Sequence, residues 1–112
     1  MVRRYVPDEG DIVWLDFDPQ SGHEQAGHRP AVVLSPALYN GKTGLMLCCP
    51  ITTQIKGFPF EVAIAGTPAN VVLADQVKSL DWRARNAQLK GNVSAAELSL
   101  IRQKAIALIG KP

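Results

Sequence analysis

The sequence predicts a mainly β fold, a small barrel-like sheet of about five to seven short strands closed by one C-terminal helix. Short apolar stretches with strand character recur along the chain, separated by turns that contain Pro, Gly or Asn. The end of the chain differs, because apolar residues there repeat at helical spacing. The 112 residues and the hydrophobic fraction of 46% suffice for one modest core, which predicts a single domain over residues 1–112.

Two predicted strands flank a polar loop in the first third of the chain. DIVWLDF, residues 11–17, has strand composition and follows an approach punctuated by Pro7 and Gly10. A polar loop that contains glycines occupies residues 18–29. PAVVLS, residues 30–35, is a continuous apolar run, as expected for a strand that is covered on both faces.

The middle of the chain predicts a turn and then two further strands. SPALYNGKTG predicts a turn, with room for one helical turn, closed by Asn40-Gly41. LMLCCPIT, residues 45–52, is the next strand. GFPFEVAIA, residues 57–65, alternates apolar and other residues, and Pro59 near its start indicates an edge or strand-entry position.

VVLADQVKSL, residues 71–80, follows a turn at residues 66–70 and predicts a strand with two unlike faces. Asp75 interrupts an apolar stripe on one face, while Gln76 and Lys78 project from the other. If the apolar stripe faces the core, Asp75 must be hydrogen-bonded inside the protein.

The last predicted element is a helix over residues 94–110. Ser94 and Glu97 form a capping-box pattern, and Gly110 provides a stop. The apolar residues at helical spacing between them are Leu98, Ile101, Ala105 and Leu108.

Cysteine usage and hydropathy predict a cytoplasmic protein with reduced thiols. Cys48 and Cys49 are adjacent on a predicted strand and therefore point to opposite faces, so a bridge between them would be strained. No signal peptide is recognisable, and no apolar run approaches the roughly 20 residues that cross a bilayer. No CxxC motif or paired His/Cys spacing predicts zinc.

The charge distribution favours a polyanionic partner. Residues 1–28 hold two arginines and six carboxylates, a net charge of −4. Residues 29–112 hold ten lysines and arginines and four carboxylates, a net charge of +6. A basic remainder can face a polyanion although the whole chain carries only +2.

Arg29 stands at the junction between the polar loop and a strand, with Pro30 fixing the chain direction behind it. A guanidinium there is a good fork for a phosphate, although it could instead pair with a nearby aspartate. Glu24, His23 and His28 precede it and could act as general acid or base, or simply be solvated loop residues.

Hydroxyl, amide and ammonium groups follow later strands. Thr52 and Thr53 end a strand, where a hydroxyl can donate to a phosphoryl oxygen. Lys56 or Lys78 could hold a backbone phosphate, and the Gln76 amide could contact base edges. Each of these residues also admits a purely structural role. The residues thus favour a phosphodiester ligand without deciding between cleavage and binding.

Three ordered blocks resemble the MazF/PemK family of bacterial toxin–antitoxin systems. They are RYVPDEGDIVWLDFDPQSGHEQAGHRPAVVLSP, CPITTQIKGFPFEV and VLADQVKSLDWRAR, and the likeness extends over almost the whole chain. The resemblance implies an SH3-like barrel of the PemK/CcdB type that forms a homodimer. It implies a metal-independent endoribonuclease that needs no cofactor and cleaves single-stranded RNA. A MazE-like antitoxin with an extended acidic tail would inhibit it.

The resemblance also implies roles for single residues. Arg29 would stabilise the transition state, and Thr52 would hydrogen-bond the scissile phosphate. Glu24 matches a loop acid with a supporting role in some members of the family, and we predict that Glu24 or His28 is the base. RNA contacts would come from the 18–28 loop, including Gln25, and from the Thr53, Lys56, Gln76 and Lys78 side chains. The alternative is a gyrase-poisoning toxin of the same fold. That class depends on an aromatic-bearing C-terminal end, and the C-terminal helix here has no aromatic residue.

Overall fold

A computed structural model describes residues 5–17 and 27–110 of the chain. These residues contain seven strands and two helices. In chain order they are β1 (Asp11–Phe17), β2 (Gly27–Val33), α1 (Ala37–Thr43), β3 (Leu45–Thr52), β4 (Glu61–Ile64), β5 (Asn70–Leu73), β6 (Lys78–Asp81), β7 (Gln88–Asn92) and α2 (Ala95–Ile109). The strands form one curled antiparallel sheet in the order β4-β5-β3-β2-β1-β7, and β6 also pairs with β3. The predicted mainly β fold with a C-terminal helix is confirmed.

β3 pairs with three other strands and lies where the sheet bends. One of its edges pairs with β2, and the other pairs with β6 near its start and with β5 at its end. Thr52 lies opposite Val71 and Cys48 lies opposite Lys78, so the chain opposite β3 has three additional residues over this interval. The additional residues bulge out and let the sheet bend between β5 and β6.

The prediction of one continuous strand over 71–80 is therefore wrong. Residues 74–77 interrupt it, and the backbone N–H of Gln76 donates to the Leu73 carbonyl at 3.1 Å to close a turn. Asp75 is exposed in this turn rather than hydrogen-bonded in the core. The alternation of apolar and polar residues could not reveal the bulge, because the same sequence is compatible with a straight strand.

Apolar side chains fill both faces of the sheet. Alternation along β2 and β3 sends Val33 and Cys48 to a first core and Val32 and Cys49 to a second. Trp82 covers the first core, and α2 covers the second through Leu98 and Ile101. Both cysteines are free, in agreement with the predicted reduced thiols, and both are buried.

A helix, α1, occupies most of the segment 35–44 that was predicted as a turn with room for one helical turn, and it contains a buried asparagine. Asn40 lies within α1, is fully buried, and donates from Nδ2 to the carbonyls of Pro7 at 2.7 Å and Ser35 at 2.9 Å. Its Oδ1 accepts from the Ser35 hydroxyl at 2.6 Å, and its carbonyl accepts from the Trp82 indole at 2.8 Å. One residue thus joins the N-terminal segment and Ser35 through its side chain, and the cover of the first core through its backbone carbonyl.

The predicted capping box at α2 is present. Glu97 accepts from the Ser94 backbone N–H at 2.8 Å, and the Ser94 hydroxyl accepts from the Glu97 N–H at 3.0 Å. Glu97 also accepts from the Ala65 N–H at 2.8 Å. These bonds, the one from Ser94 foremost, hold the pKa of Glu97 below its usual range. Neither helix in the described ranges is long and apolar enough to cross a membrane.

We expect Asn40→Ala to lower the free energy of unfolding by about 2–4 kcal/mol, because it leaves several buried polar groups without a partner. Urea denaturation followed by tryptophan fluorescence measures the change. Asn92→Ala is the control, since Asn92 is exposed and donates to Asp11 at the surface. Equal effects of the two variants would contradict the role of Asn40.

Burial raises the pKa of both thiols, Cys48 and Cys49, to about 12. A raised thiol pKa means that folding favours the neutral form, so this contribution to stability is present near neutral pH and is lost as the pH rises. At about pH 8 we expect the native protein to resist iodoacetamide and the denatured protein to be alkylated at both cysteines. Mass spectrometry distinguishes the two results. Rapid alkylation of the native protein would contradict the buried placement.

Candidate functional site

The register of β2 and β3, extended beyond the paired residues, sets Arg29 across from Thr52, near the start of β2 and at the end of β3. The pairing of these strands sets Ala31 opposite Pro50, and continuing it by two residues sets Arg29 opposite Thr52. Alternation places both side chains on the face of the first core, which carries Val33. Arg29 is exposed and Thr52 is half-buried. A phosphate at this strand end can meet a guanidinium and a hydroxyl together.

A groove of about 160 Å³ extends from Thr52 along this side of the sheet. It brings together Thr52, Lys56 and Gln76, three residues that the sequence singled out from separate segments. Gln76 reaches the groove because it belongs to the bulge between β5 and β6. The remaining lining residues are Gln54, Phe58, Phe60, Glu61 and Leu73.

The hydroxyl of Thr52 is oriented by the backbone. Its Oγ1 accepts from the Gln54 N–H at 3.0 Å. An oxygen that accepts in this way keeps its own hydrogen for donation. Thr52 can therefore donate to a phosphoryl oxygen without losing its link to the loop.

Two aromatic rings beside this hydroxyl were not predicted as functional residues. Phe58 and Phe60 stack with ring centroids 5.3 Å apart and planes at 23°. Phe58 is 48% exposed, which leaves ring surface facing solvent next to Lys56. Exposed rings beside cationic groups are typical of surfaces on which unpaired bases stack. The segment KGFPF shows two phenylalanines next to a lysine in the sequence, but the alternation expected of a strand explains these phenylalanines equally well.

A carboxylate organises the loop that carries Lys56, and the sequence did not identify it either. Glu61 accepts from the backbone N–H of Lys56 at 3.1 Å and from that of Gly57 at 2.9 Å. Gly57 has φ of +79°, a left-handed conformation that glycine adopts readily. The carboxylate and the glycine together define this turn.

His28 lies on the opposite face of β2 from Arg29. Its Nε2 is 3.3 Å from the Asp16 carboxylate, and its ring meets the Trp14 ring edge-on with centroids 6.0 Å apart. Thr53 likewise faces away from Thr52 and lines a second groove with Trp14 and Lys90. The structure therefore separates His28 and Thr53 from the groove that begins at Thr52.

The remaining sequence-predicted residues have separate positions. Lys78 is exposed on β6, opposite Cys48, and is not among the residues that line the groove. Glu24, Gln25 and His23 lie outside the described residues. Within residues 5–17 and 27–110, no three His, Cys, Asp or Glu side chains gather in a way that could hold a metal ion.

Comparison with known protein sequences identifies close relatives. The family described as PemK-like, MazF-like toxin of type II toxin–antitoxin system matches residues 8–109. The chain is 63% identical over 111 residues to the endoribonuclease toxin MazF of Escherichia coli K12, spanning 98% of this chain and 100% of that protein. It is 38% identical over 115 residues to the endoribonuclease toxin ChpB of the same strain, spanning 95% and 98%.

Solved structures agree with the sequence relatives. A MazE–MazF crystal structure from Deinococcus radiodurans has a TM-score of 0.91 at 52% identity, covering 97% of this chain and 100% of that chain. A mycobacterial endoribonuclease in complex with its cognate antitoxin has a TM-score of 0.75 at 22% identity, covering 95% and 97%. The second similarity supports the fold alone.

Proposed function

Because the chain belongs to the PemK-like, MazF-like toxins of type II toxin–antitoxin systems and is an endoribonuclease toxin, we propose that Arg29 and Thr52 hold the scissile phosphate of a single-stranded RNA. The observation that carries the proposal is the register of β2 and β3, which when extended sets Arg29 opposite Thr52, the residue at which the groove begins. The alternative of a gyrase-poisoning toxin is wrong, since the relatives are endoribonucleases.

The proposed reaction uses the substrate's own nucleophile. The ribose 2′-oxygen loses its proton to a base and attacks the adjacent phosphorus, while the bond from phosphorus to the 5′-oxygen breaks. The products are a 2′,3′-cyclic phosphate and a 5′-hydroxyl, and the leaving oxygen takes up a proton. Arg29 and Thr52 stabilise the negative charge that develops on the phosphoryl oxygens. DNA lacks the 2′-hydroxyl and is not cleaved.

Glu24 is the better candidate for the base. The sequence left Glu24 and His28 as alternatives, and His28 lies beside Asp16 on the face opposite Arg29. Its imidazole would have to leave that position to reach the 2′-hydroxyl. A guanidinium offers five N–H donors and no acceptor, so the proposed role of Arg29 is electrostatic.

The groove beyond Thr52 contacts the rest of the RNA in this proposal. Lys56 contacts a backbone phosphate, Gln76 contacts a base edge, and the exposed face of Phe58 stacks on a base. Outside the groove, Gln25, Thr53 and Lys78 are proposed as further RNA contacts at more distant nucleotides. The net charge of +6 over residues 29–112 favours the approach of a polyanion.

The same positive field suits an antitoxin. A MazE-like antitoxin with an acidic extended tail would compete with RNA for this groove, in line with the MazE–MazF complexes of its relatives. We also propose a homodimer and a cytoplasmic location, where the RNA substrate is found. No metal or other cofactor enters the proposed reaction.

The first test is cleavage of a defined single-stranded RNA in the presence of EDTA, with mapping of both product ends. We expect cyclic-phosphate and 5′-hydroxyl ends. Arg29→Ala and Thr52→Val should each lower kcat by about 10²–10³-fold, the usual effect of removing one group that stabilises developing charge. Arg83→Ala, on the turn that covers the first core, should leave kcat unchanged. Full activity of Arg29→Ala, or a requirement for added metal, would contradict the proposal.

The second test identifies the base through the pH dependence of kcat. Glu24→Gln should lower kcat by about 10²–10⁴-fold and remove the rise of kcat on the acidic side of the profile. His28→Gln should change kcat little and keep that rise. If His28→Gln removes it instead, the base is His28 and the face assignment does not hold during catalysis.

A further inference from the structure

We propose that Glu61 is a positioning residue for RNA binding, holding the Lys56–Gly57 turn so that Lys56 stays in the groove beside Thr52. The proposal rests on the proposed function, because it assigns a role within the same groove. Glu61 does not contact the reacting atoms in this proposal. It acts through the loop that it holds.

The geometry is that of a carboxylate bound by two successive backbone donors. One oxygen of Glu61 accepts from the Lys56 N–H at 3.1 Å, and the other accepts from the Gly57 N–H at 2.9 Å. The backbone N–H of Glu61 donates in turn to the Phe58 carbonyl at 3.1 Å. Three hydrogen bonds therefore tie one residue to three consecutive residues of the loop.

Glu61 connects this loop to the sheet. It begins β4 and pairs with Leu73 of β5, so its backbone is fixed within the sheet. Residues 53–60 lie outside any strand or helix, and Lys56, Gly57 and Phe58 are exposed. The exposed residues of the loop gain a fixed position through the carboxylate.

The location of the carboxylate argues for a role in binding rather than in general stability. A carboxylate in a groove for a polyanion repels phosphates, yet Glu61 lines the same groove as Lys56 and Gln76. The two N–H donors offset part of this negative charge, and the hydrogen bonds that they make to the carboxylate fix the loop. Glu97 makes the chemically matching pair of bonds, to the N–H groups of Ser94 and Ala65, but it does so at the start of α2 and lines no part of this groove.

The test begins with steady-state cleavage of a single-stranded RNA that contains one cut site. Glu61→Gln replaces one accepting oxygen by an NH₂ group, which cannot accept from the second N–H. We expect KM to rise by about 10–100-fold, the effect of losing one charge-assisted hydrogen bond, with kcat within about twofold. The slope of log KM against log salt should fall by about 0.7, the value for one phosphate contact on a single strand.

A double-mutant cycle separates positioning from general stability. In a Lys56→Met background, Glu61→Gln should have little further effect on KM, because the group that it positions is gone. Gly57→Ala provides a second route to the same result. Its Cβ would meet nothing within 4 Å, so the substitution strains only the turn at φ +79°. It should raise KM like Glu61→Gln, and the two changes should not add.

Glu97→Gln is the control: it should lower the free energy of unfolding while KM stays unchanged. A fall in kcat in Glu61→Gln, an unchanged salt slope, or full additivity with Lys56→Met would overturn the positioning role. If Arg29→Ala loses activity while Glu61→Gln and Gly57→Ala leave KM unchanged, Glu61 is not a positioning residue and the proposed function stands. If Arg29→Ala keeps full activity while KM responds to Glu61, the assignment of Arg29 fails instead.

Discussion

The pairing of β3 with three other strands determines where chemistry can occur in this protein. β2 on one edge sets Arg29 opposite Thr52, and the offset of three residues between β5 and β6 on the other edge pushes Gln76 into the groove. Both effects follow from the backbone pairing of β3. The loop that holds Lys56 lies outside the strands, and Glu61 ties it to the sheet.

Side chains that satisfy backbone groups recur at the places where the sheet ends. Asn40 joins the N-terminal segment to α1, Glu97 joins the 65–69 loop to α2, and Glu61 joins the loop after β3 to β4. Each supplies hydrogen bonds that an isolated loop would lack. The irregular segments are thus held by single polar residues, while the strands are held by their neighbours and by the two cores.

Much of the fold could be predicted because it follows from local patterns. Apolar runs marked β1, β2 and β3, and the Ser94–Glu97 pair marked the start of α2. β7 escaped prediction because, as an exposed edge strand, it shows no alternation of apolar and polar residues. The position of Asp75 depended on a bulge that only long-range pairing reveals.

The candidate site was predictable in part for the same reason. Arg29, Thr52, Lys56 and Gln76 carry chemistry that their side chains make evident, and the groove collects three of them. The proposed role of Glu61 depends on two hydrogen bonds to a loop, and no pattern of residues in the sequence predicts them. The separation of His28 from Arg29 follows from strand alternation, yet it required the boundary of β2, which begins at Gly27 rather than at Pro30.

The pairing of the first strand with the last has a consequence for synthesis. Asp11 lies opposite Asn92, and Ile101 of α2 completes the second core. A growing chain that already contains the Arg29, Thr52 and Gln76 segments therefore still lacks β7, the second strand partner of β1, and the helix that covers the second core. The complete sheet and the second core therefore form only after nearly the whole chain has left the ribosome.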